Sequence, residues 1–522
     1  MAASNTGINS SNNSGAGDIY LVVELSSTAN SDISGKANNY LDQAEEIILK
    51  PSSNFVLNED QADLLKSKIH IGDGITNSTK PELLVVDYQG TDLKALFSST
   101  EDGNDSSDKV KVTYALNADR DFKAIGALTD NLSDADCIDL NGNALVLNAT
   151  QALALKEVIV NSDSTDSTLR IVNYKGEDLR TASDGNKAGF EAGTGEGRIT
   201  MITEVAGAVD LSTMSSNPLF GLENGPNGAK ADQIEVGTGD TLTLDVQQAE
   251  ELQQNIRGIA AQTQGELVVK NYDGTDLSGI SVDSRSALDI SFEVNDVQDF
   301  SVKADGSDQT AQELYSLVSS ADVIKIDDGD GSQDDGAKLT LTAAQVNKLL
   351  TEGDGITFEG QDTLVIVDYN NNEDLSGLPA SLKVVLEVDS AISADDPKLF
   401  GTSGKGVDQI KMLDGGTLNL KQYRASTNLS EIITRANAGD AVNVEISTTV
   451  DLSTSDVRDS LKDVDTLVIT QSGRLEFQTG FSGGSNPQFE YLAGKAPSGN
   501  NAAVPGILSA ASRGSLNVVN VD

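Results

Sequence analysis

The side chains with the clearest potential for chemistry are the carboxylates of two short acidic loops. In the denser loop, residues 327–335, the acids are Asp327, Asp328, Asp330, Asp334 and Asp335, set among glycines. The second loop, residues 101–108, offers Glu101, Asp102, Asn104, Asp105 and Asp108. Calcium takes about six to eight oxygen ligands, and closely spaced acids on a glycine-bent loop supply such oxygens. The pattern predicts calcium as a cofactor in at least one of these loops; the alternative is that both are solvated polar loops.

Other reactive side chains are scarce. The chain has one cysteine, Cys137, and one histidine, His70. A single cysteine excludes intramolecular disulfides and multi-cysteine zinc or iron–sulfur sites. A single histidine argues against a histidine-based catalytic centre. The sequence has no glycine-rich phosphate loop followed by Lys-Ser/Thr and no serine-nucleophile elbow. We therefore predict that the protein is not an enzyme.

The charge balance excludes several classes of partner. The 522 residues include 36 Lys and Arg against 81 Asp and Glu, which gives a formal net charge of −45. Nucleic-acid binding relies on Lys and Arg that displace counterions from phosphate, so no nucleic-acid partner is expected. No window approaches the roughly 18–20 apolar residues of a membrane span, so membrane insertion is not expected either. The N-terminus lacks the basic and apolar regions of a secretory signal.

A recurring motif predicts the elements that must carry the acidic loops. It consists of Leu, then Asn, Asp or Thr, then two residues, then Gln, and it ends at Gln61, Gln151, Gln248, Gln345 and Gln422. An Asn, Asp or Thr three residues before Gln is a capping box: each side chain bonds the backbone N–H of the other residue at the start of a helix. We predict five short helices, one after each of Asn58, Asn148, Asp245, Thr342 and Asn419.

Alternating apolar residues predict strands on both sides of each helix. The strand after each of the first four helices ends at a tyrosine before a turn, and we expect Tyr88, Tyr174, Tyr272 and Tyr369 to be core residues. The predicted fold is mainly β with short helices: a tandem, elongated array of about five β-rich repeats, each with one capped helix. Separate beads and one continuous β-solenoid both fit the pattern.

The repeats also predict how the chain is divided. We expect an N-terminal arm and strand (1–40), four repeats (41–133, 134–230, 231–320 and 321–405), a degenerate fifth repeat (406–475) and a C-terminal tail (476–522). The strand predicted at residues 18–25 has two possible partners. It could add to the sheet edge of a neighbouring subunit, or it could pair with the first repeat of its own chain.

The strand and Leu-Thr/Asn-x-x-Gln-Ala/Val helix elements, with Asp- and Gly-rich loops between them, resemble those of bacterial surface-layer and large adhesin proteins exported without an N-terminal signal. The resemblance covers roughly residues 45–470. It implies a calcium-dependent coat or filament outside the cell. The Gly-Gly-x-Gly-x-Asp nonapeptides common in that group are absent from this chain.

The leading hypothesis is therefore a non-enzymatic structural protein, extracellular or on the cell surface, that self-assembles into a surface layer, sheath or filament. Its expected partner is itself, as a homopolymer or lattice, and a cell-surface polysaccharide is a second candidate partner. Three alternatives remain open: a virion fibre or decoration protein, an adhesin, and a polysaccharide-active enzyme on a β-solenoid.

Overall fold

A computed structural model describes most of the chain. The described residues are 6–9, 20–25, 30–93, 110–132, 135–179, 191–192, 197–214, 232–259, 264–280, 288–303, 305–329, 336–352, 355–370, 373–401, 406–413, 415–437, 439–451, 455–461, 464–469, 474–476 and 517–520. The chain divides into two compact units. The first consists of residues 1–243, 255–265 and 286–288, and the second of residues 244–254, 266–285 and 289–522.

The first half of the chain contains short strands and short helices. The strands are β1 (Thr6–Asn9), β2 (Tyr20–Leu25), β3 (Asn30–Asp32), β4 (Glu46–Leu49), β5 (Asn54–Asn58), β6 (Ile69–Ile71), β7 (Glu82–Val86), β8 (Lys111–Ala115), β9 (Arg120–Asp121), β10 (Cys137–Asp139), β11 (Ala144–Asn148), β12 (Ile159–Asn161), β13 (Ser167–Tyr174), β14 (Glu191–Ala192), β15 (Ile199–Val205), β16 (Ala208–Asp210), β17 (Gln233–Val236), β18 (Thr241–Asp245) and β19 (Ile256–Gly258). Among the residues described in this half, the helices are α1 (Glu59–Leu65), α2 (Leu128–Asn131) and α3 (Ala149–Leu155).

The second half repeats this mixture. Its strands are β20 (Gly265–Lys270), β21 (Leu288–Val294), β22 (Val297–Asp299), β23 (Val323–Ile326), β24 (Lys338–Thr342), β25 (Thr357–Gly360), β26 (Thr363–Val367), β27 (Lys383–Val388), β28 (Ala391–Asp395), β29 (Gln409–Met412), β30 (Thr417–Lys421), β31 (Ile433–Arg435), β32 (Ala441–Ile446), β33 (Thr449–Asp451), β34 (Thr466–Ile469), β35 (Arg474–Glu476) and β36 (Asn517–Asn520). Its helices, with α4 preceding β19, are α4 (Val246–Leu252), α5 (Ala311–Val318), α6 (Ala343–Thr351), α7 (Asp396–Phe400), α8 (Leu429–Ile432) and α9 (Ser455–Ser460).

In the first unit, most strands that follow one another in the sequence belong to different sheets in alternation. One sheet has the order β1-β2-β4-β6, the next β3-β5-β7-β8-β10-β12-β14, and a third β9-β11-β13-β15-β17-β19. The chain passes from β4 in the first sheet to β5 in the second, and after α1 it returns to the first sheet at β6. Neighbouring strands are parallel, except that β1 pairs with β2 in the antiparallel sense. Successive sheets are therefore interleaved by the chain that builds them.

The second unit uses the same arrangement. Strands β21, β23 and β25 lie side by side, and a six-stranded sheet has the order β22-β24-β26-β27-β29-β31. A further sheet has the order β28-β30-β32-β34-β36. The strands of these sheets pair in parallel, for example Lys338 with Thr363 and Thr417 with Ala441. The predicted mainly β fold with short helices and a series of β-rich repeats is confirmed.

Four of the five predicted capping boxes are present. Asn58, Asn148, Asp245 and Thr342 each end a strand and cap the helix that follows directly, with the glutamine three residues later bonding back to the cap. Because these bonds connect residues three apart, their residue types are a direct sequence signal for the helix start. These helices bury apolar positions such as Ala62 and Leu65 in α1, which anchors them to the sheets.

The capping glutamine has a second task that the box pattern does not require. Gln345 is fully buried, and its Oε1 accepts from the N–H of Thr342 at 2.8 Å. Its Nε2 donates to the backbone oxygens of Phe300 and Gln309, at 2.7 and 2.9 Å. Gln151 makes the matching pair of bonds to two earlier carbonyls. Glutamate could complete the box but could not donate to these carbonyls, which explains why glutamine recurs.

The fifth predicted capping box is wrong. Asn419 lies within β30, where its Nδ2 donates to the Ile392 oxygen at 3.0 Å and its Oδ1 accepts from Asn443 Nδ2 at 2.8 Å. No helix starts there; the next one, α8, begins at Leu429 without a side-chain cap. Pairing with the neighbouring strands has overridden the local capping signal, because the Asn419 side chain is committed to bonds across the sheet.

The tyrosines are core residues, as predicted. Tyr88, Tyr174 and Tyr272 are fully buried and Tyr369 nearly so. Each follows an Asp or Asn whose φ is between 55° and 59°. Asp and Asn tolerate this left-handed backbone region better than most residues. A turn of the same kind also follows β30, at a different place in the repeat: Gln422 has a φ of 52°, and Tyr423 behind it is buried.

The structure also places the N-terminal strand, the histidine and the cysteine. Strand β2 pairs with β4 of its own chain, which is the second of the two alternatives for residues 18–25. His70 is exposed on β6, and Cys137 is half-buried on β10, where burial raises its pKa to about 11. The repeat boundaries remain a prediction. Within the described residues, no helix has the length and apolar character needed to cross a membrane.

Candidate metal centre

Three carboxylates of the second unit converge at one end of two neighbouring strands. Asp327 and Asp328 follow directly on β23, and Asp362 lies in the turn between β25 and β26. The turn is held against the end of β23, because Asp362 N–H donates to the Ile326 oxygen at 3.3 Å. Ligand oxygens of the three acids all lie within 4.8 Å of one another. The parallel sheet thus brings together acids that are distant in the sequence.

Asp362 is the buried member of this cluster, with 1% of its surface exposed. Its Oδ2 accepts from the backbone N–H of Asp328 at 2.8 Å. Its Oδ1 is buried and has no hydrogen-bond partner among the described residues. Burial raises the pKa of Asp362 above its usual value; the N–H groups of Asp328 and Ala337 oppose this, while Asp328 and Asp327 raise the pKa further. A buried carboxylate oxygen without a partner is costly, because water no longer solvates it.

Gly336 borders the same space. A Cβ added at this residue would lie 2.5 Å from Asp362 Oδ1 and 2.8 Å from Asp328 Oδ2. The two oxygens therefore face a common region that the missing side chain leaves open. Any larger residue at position 336 would push the carboxylates away from this region.

Asp327 lies at the outer side of the cluster. Its Oδ1 accepts from the N–H of Gly329 at 2.8 Å, and its Oδ2 is 3.5 Å from Lys325 Nζ. Lys325 is also bonded to Glu293 at 3.0 Å. Both Lys325 and Asp327 line a cavity of about 610 Å³, together with Glu359 and Gly360. This cavity gives solvent access to Asp327, the outer member of the cluster.

The sequence prediction and this cluster overlap in part. Asp327 and Asp328 were predicted as metal ligands, and both belong to the cluster. Asp330, Asp334, Asp335, Glu101, Asp102, Asn104, Asp105 and Asp108 lie outside the described residues. The sequence analysis missed Asp362. Its signal is an acid directly before β26: Pro81 precedes the matching strand β7, and β13 and β20 begin with Ser167 and Gly265.

A second buried carboxylate occupies the corresponding place in the next sheet. Asp440 precedes β32, which pairs with β30, just as Asp362 precedes β26, which pairs with β24. Asp440 is 3% exposed, and both of its oxygens are bonded: Oδ1 accepts from Gly415 N–H at 2.9 Å and Oδ2 from Asn437 N–H at 2.8 Å. The Asn437 N–H bond is the main reason that the pKa of Asp440 is lowered.

Comparison of the chain with protein-family models, with curated proteins and with solved structures finds no match.

Proposed function

We propose that this protein is a non-enzymatic, extracellular structural protein whose copies self-assemble into a surface layer, sheath or filament in the presence of calcium. The observation that carries the proposal is the recurrence of one strand–capped helix–strand unit, with interleaved parallel sheets in each compact unit. Repeat chains of this kind typically serve as scaffolds, because each unit contributes a similar surface to its neighbours.

The charge supports a role for a divalent cation. With a net charge of −45, copies of this chain repel one another. Sodium screens charges that are more than about 8 Å apart at physiological ionic strength, but close carboxylates in one cluster still repel. A bound divalent cation removes that local repulsion, so calcium would favour both the folded chain and the contact between chains. A cell-surface polysaccharide remains the second proposed partner.

Electron microscopy of the purified full chain tests this proposal. We expect ordered sheets or filaments in millimolar calcium, their dissolution on chelation, and no comparable order in sodium chloride of equal ionic strength. Sedimentation of the same samples measures the assembled fraction. Monomers under all three conditions would contradict the proposal, and hydrolysis of a polysaccharide by the monomer would favour the enzyme alternative.

A further inference from the structure

We infer that Asp327, Asp328 and Asp362 form a calcium site in which Asp362 Oδ1 is the innermost ligand. The choice of cation rests on the proposed calcium-dependent function. The site differs from the acidic loop expected from sequence, because its buried ligand comes from the turn between β25 and β26 and not from residues 327–335. Ligands from the loop alone would all be close in the sequence. In this site, the end of β23 and the turn after β25 both provide ligands.

The first argument is the unsatisfied oxygen. Asp362 is 1% exposed, and its Oδ2 has the Asp328 N–H while its Oδ1 has no partner within the described chain. Buried polar atoms are nearly always paired in native proteins, and a buried charge needs a counter-charge or a metal. The open region beside Gly336 is where Oδ1 points, so a ligand from outside the protein is the partner that the geometry accommodates.

The second argument is the spacing of the oxygens. Calcium lies about 2.3–2.6 Å from its ligands, so two oxygens in one shell are at most about 5 Å apart. The oxygens of the three acids meet this condition, since all lie within 4.8 Å of one another. Three carboxylates supply part of the shell, and water entering through the adjoining cavity supplies the remainder.

Lys325, the cation paired with Asp327, does not replace the ion. Lys325 Nζ is 3.5 Å from Asp327 Oδ2, but it lies closer to Glu293, at 3.0 Å. Glu293 thus offsets the lysine's charge and holds it to one side. No ion pair in the described part of the chain joins Lys325 to Asp362. The buried carboxylate is left for a cation that reaches the cluster from the cavity.

Hydrogen–deuterium exchange of the full chain, read by mass spectrometry, tests the site locally. Calcium binds loosely to many surface acids of this chain, so a bulk titration is not specific enough. We expect millimolar calcium to slow exchange in peptides covering residues 336–345 and 355–366. Peptides covering 409–413 and 439–446, which carry the corresponding place around Asp440, should not change. Magnesium and sodium at equal ionic strength serve as comparison cations.

Two variants remove the site in different ways. Asp362→Asn removes the innermost charge, and Gly336→Ala keeps every carboxylate but fills the region between them. We expect each to raise the calcium concentration for half-maximal protection by about tenfold or more, because ligand charge and geometry set calcium affinity. Asp389→Asn removes one exposed acid of the same unit and is the charge control. It should leave the midpoint unchanged.

The outcomes separate this inference from the proposed function. Calcium protection that both site variants lose, in a protein that never assembles, supports the site and overturns the assembly. Calcium-dependent assembly in which both variants keep wild-type protection overturns the site and leaves the assembly standing. Equal protection by sodium, or protection at Asp440 as strong as at Asp362, also overturns the site. If one variant fails to fold, the other decides.

Discussion

The fourth and fifth copies of the repeat place a buried aspartate at the same position in the sheet but surround it differently. In the fifth copy, the short link of residues 413–416 between β29 and β30 presents a backbone N–H to Asp440, and Asn437 provides another. In the fourth copy, the link spans residues 327–337 and brings Asp327 and Asp328 to Asp362. The short link thus satisfies the carboxylate of Asp440 from within the chain, whereas Asp362 Oδ1 has no donor among the described residues of the fourth copy.

The largest effect we expect concerns a buried polar group of the fourth copy that the chain fully satisfies. Gln345→Glu would turn the Nε2 donor into a carboxylate oxygen that faces the carbonyls of Phe300 and Gln309. A buried charge without a partner costs about 3–5 kcal/mol, so the urea midpoint of the full chain should fall strongly. Gln312→Glu makes the same chemical change at an exposed position of α5 and should have little effect. Equal midpoints for the two variants would show that the Gln345 side chain does not need to donate.

The second effect separates the two aspartates directly. Asp440→Asn leaves at least one of the backbone N–H groups of Gly415 and Asn437 without its charged acceptor and should cost about 2 kcal/mol. Asp362→Asn in calcium-free buffer should cost little or stabilise, because it removes the charge of a buried carboxylate while the amide oxygen can still accept from the Asp328 N–H. Urea unfolding of both variants beside wild type provides the measurement. If Asp362→Asn proves as costly as Asp440→Asn without calcium, the two environments do not differ as the contacts indicate.

Sequence reasoning recovers the parts of this comparison that are local. The cap at Thr342 and its glutamine are three residues apart, so residue types alone reveal them. Asp362 and Asp328 are 34 residues apart, and the contact depends on the register of parallel strands, which no sequence spacing records. Asn419 and Gln422 have the spacing of a cap, yet bonds to Ile392 and Asn443 hold Asn419 in a strand. The interleaving of the sheets could not be predicted either, because it also depends on contacts between residues that are distant in the sequence.

The third effect tests whether a helix begins directly after the strand, as α6 does after β24 in the fourth copy and as no helix does after β30 in the fifth. Thr342→Ala removes the cap of α6 and should cost about 1 kcal/mol in urea unfolding. Lys421 ends β30 at the corresponding place, but no helix begins there, so Lys421→Ala should change stability by less than about 0.5 kcal/mol. These measurements need the full chain, because a segment cut at the predicted boundaries would lose strands of its own sheet. A loss at Lys421 as large as that at Thr342 would mean that the fifth copy also depends on a cap.

The smallest effect is a pH dependence that belongs to Asp440. Its carboxylate accepts from the N–H groups of Asn437 and Gly415, and these bonds, with nearby Arg435, hold its pKa below the ordinary value of 3.8 despite its burial. Because the folded-state pKa is the lower one, the folded protein binds the proton less readily than the unfolded chain. The stability that Asp440 contributes is therefore fully present above pH 3.8 and is lost as the pH falls through the folded-state pKa.

We expect the difference in urea midpoint between wild type and Asp440→Asn to be equal at pH 7 and pH 5 and to shrink at pH 3. Asp389→Asn, which removes an exposed acid of the same unit, serves as the control. A gap between wild type and Asp440→Asn that stays constant down to pH 3 would mean that the backbone donors do not favour the charged form, and the contrast with Asp362 would then lose its electrostatic basis.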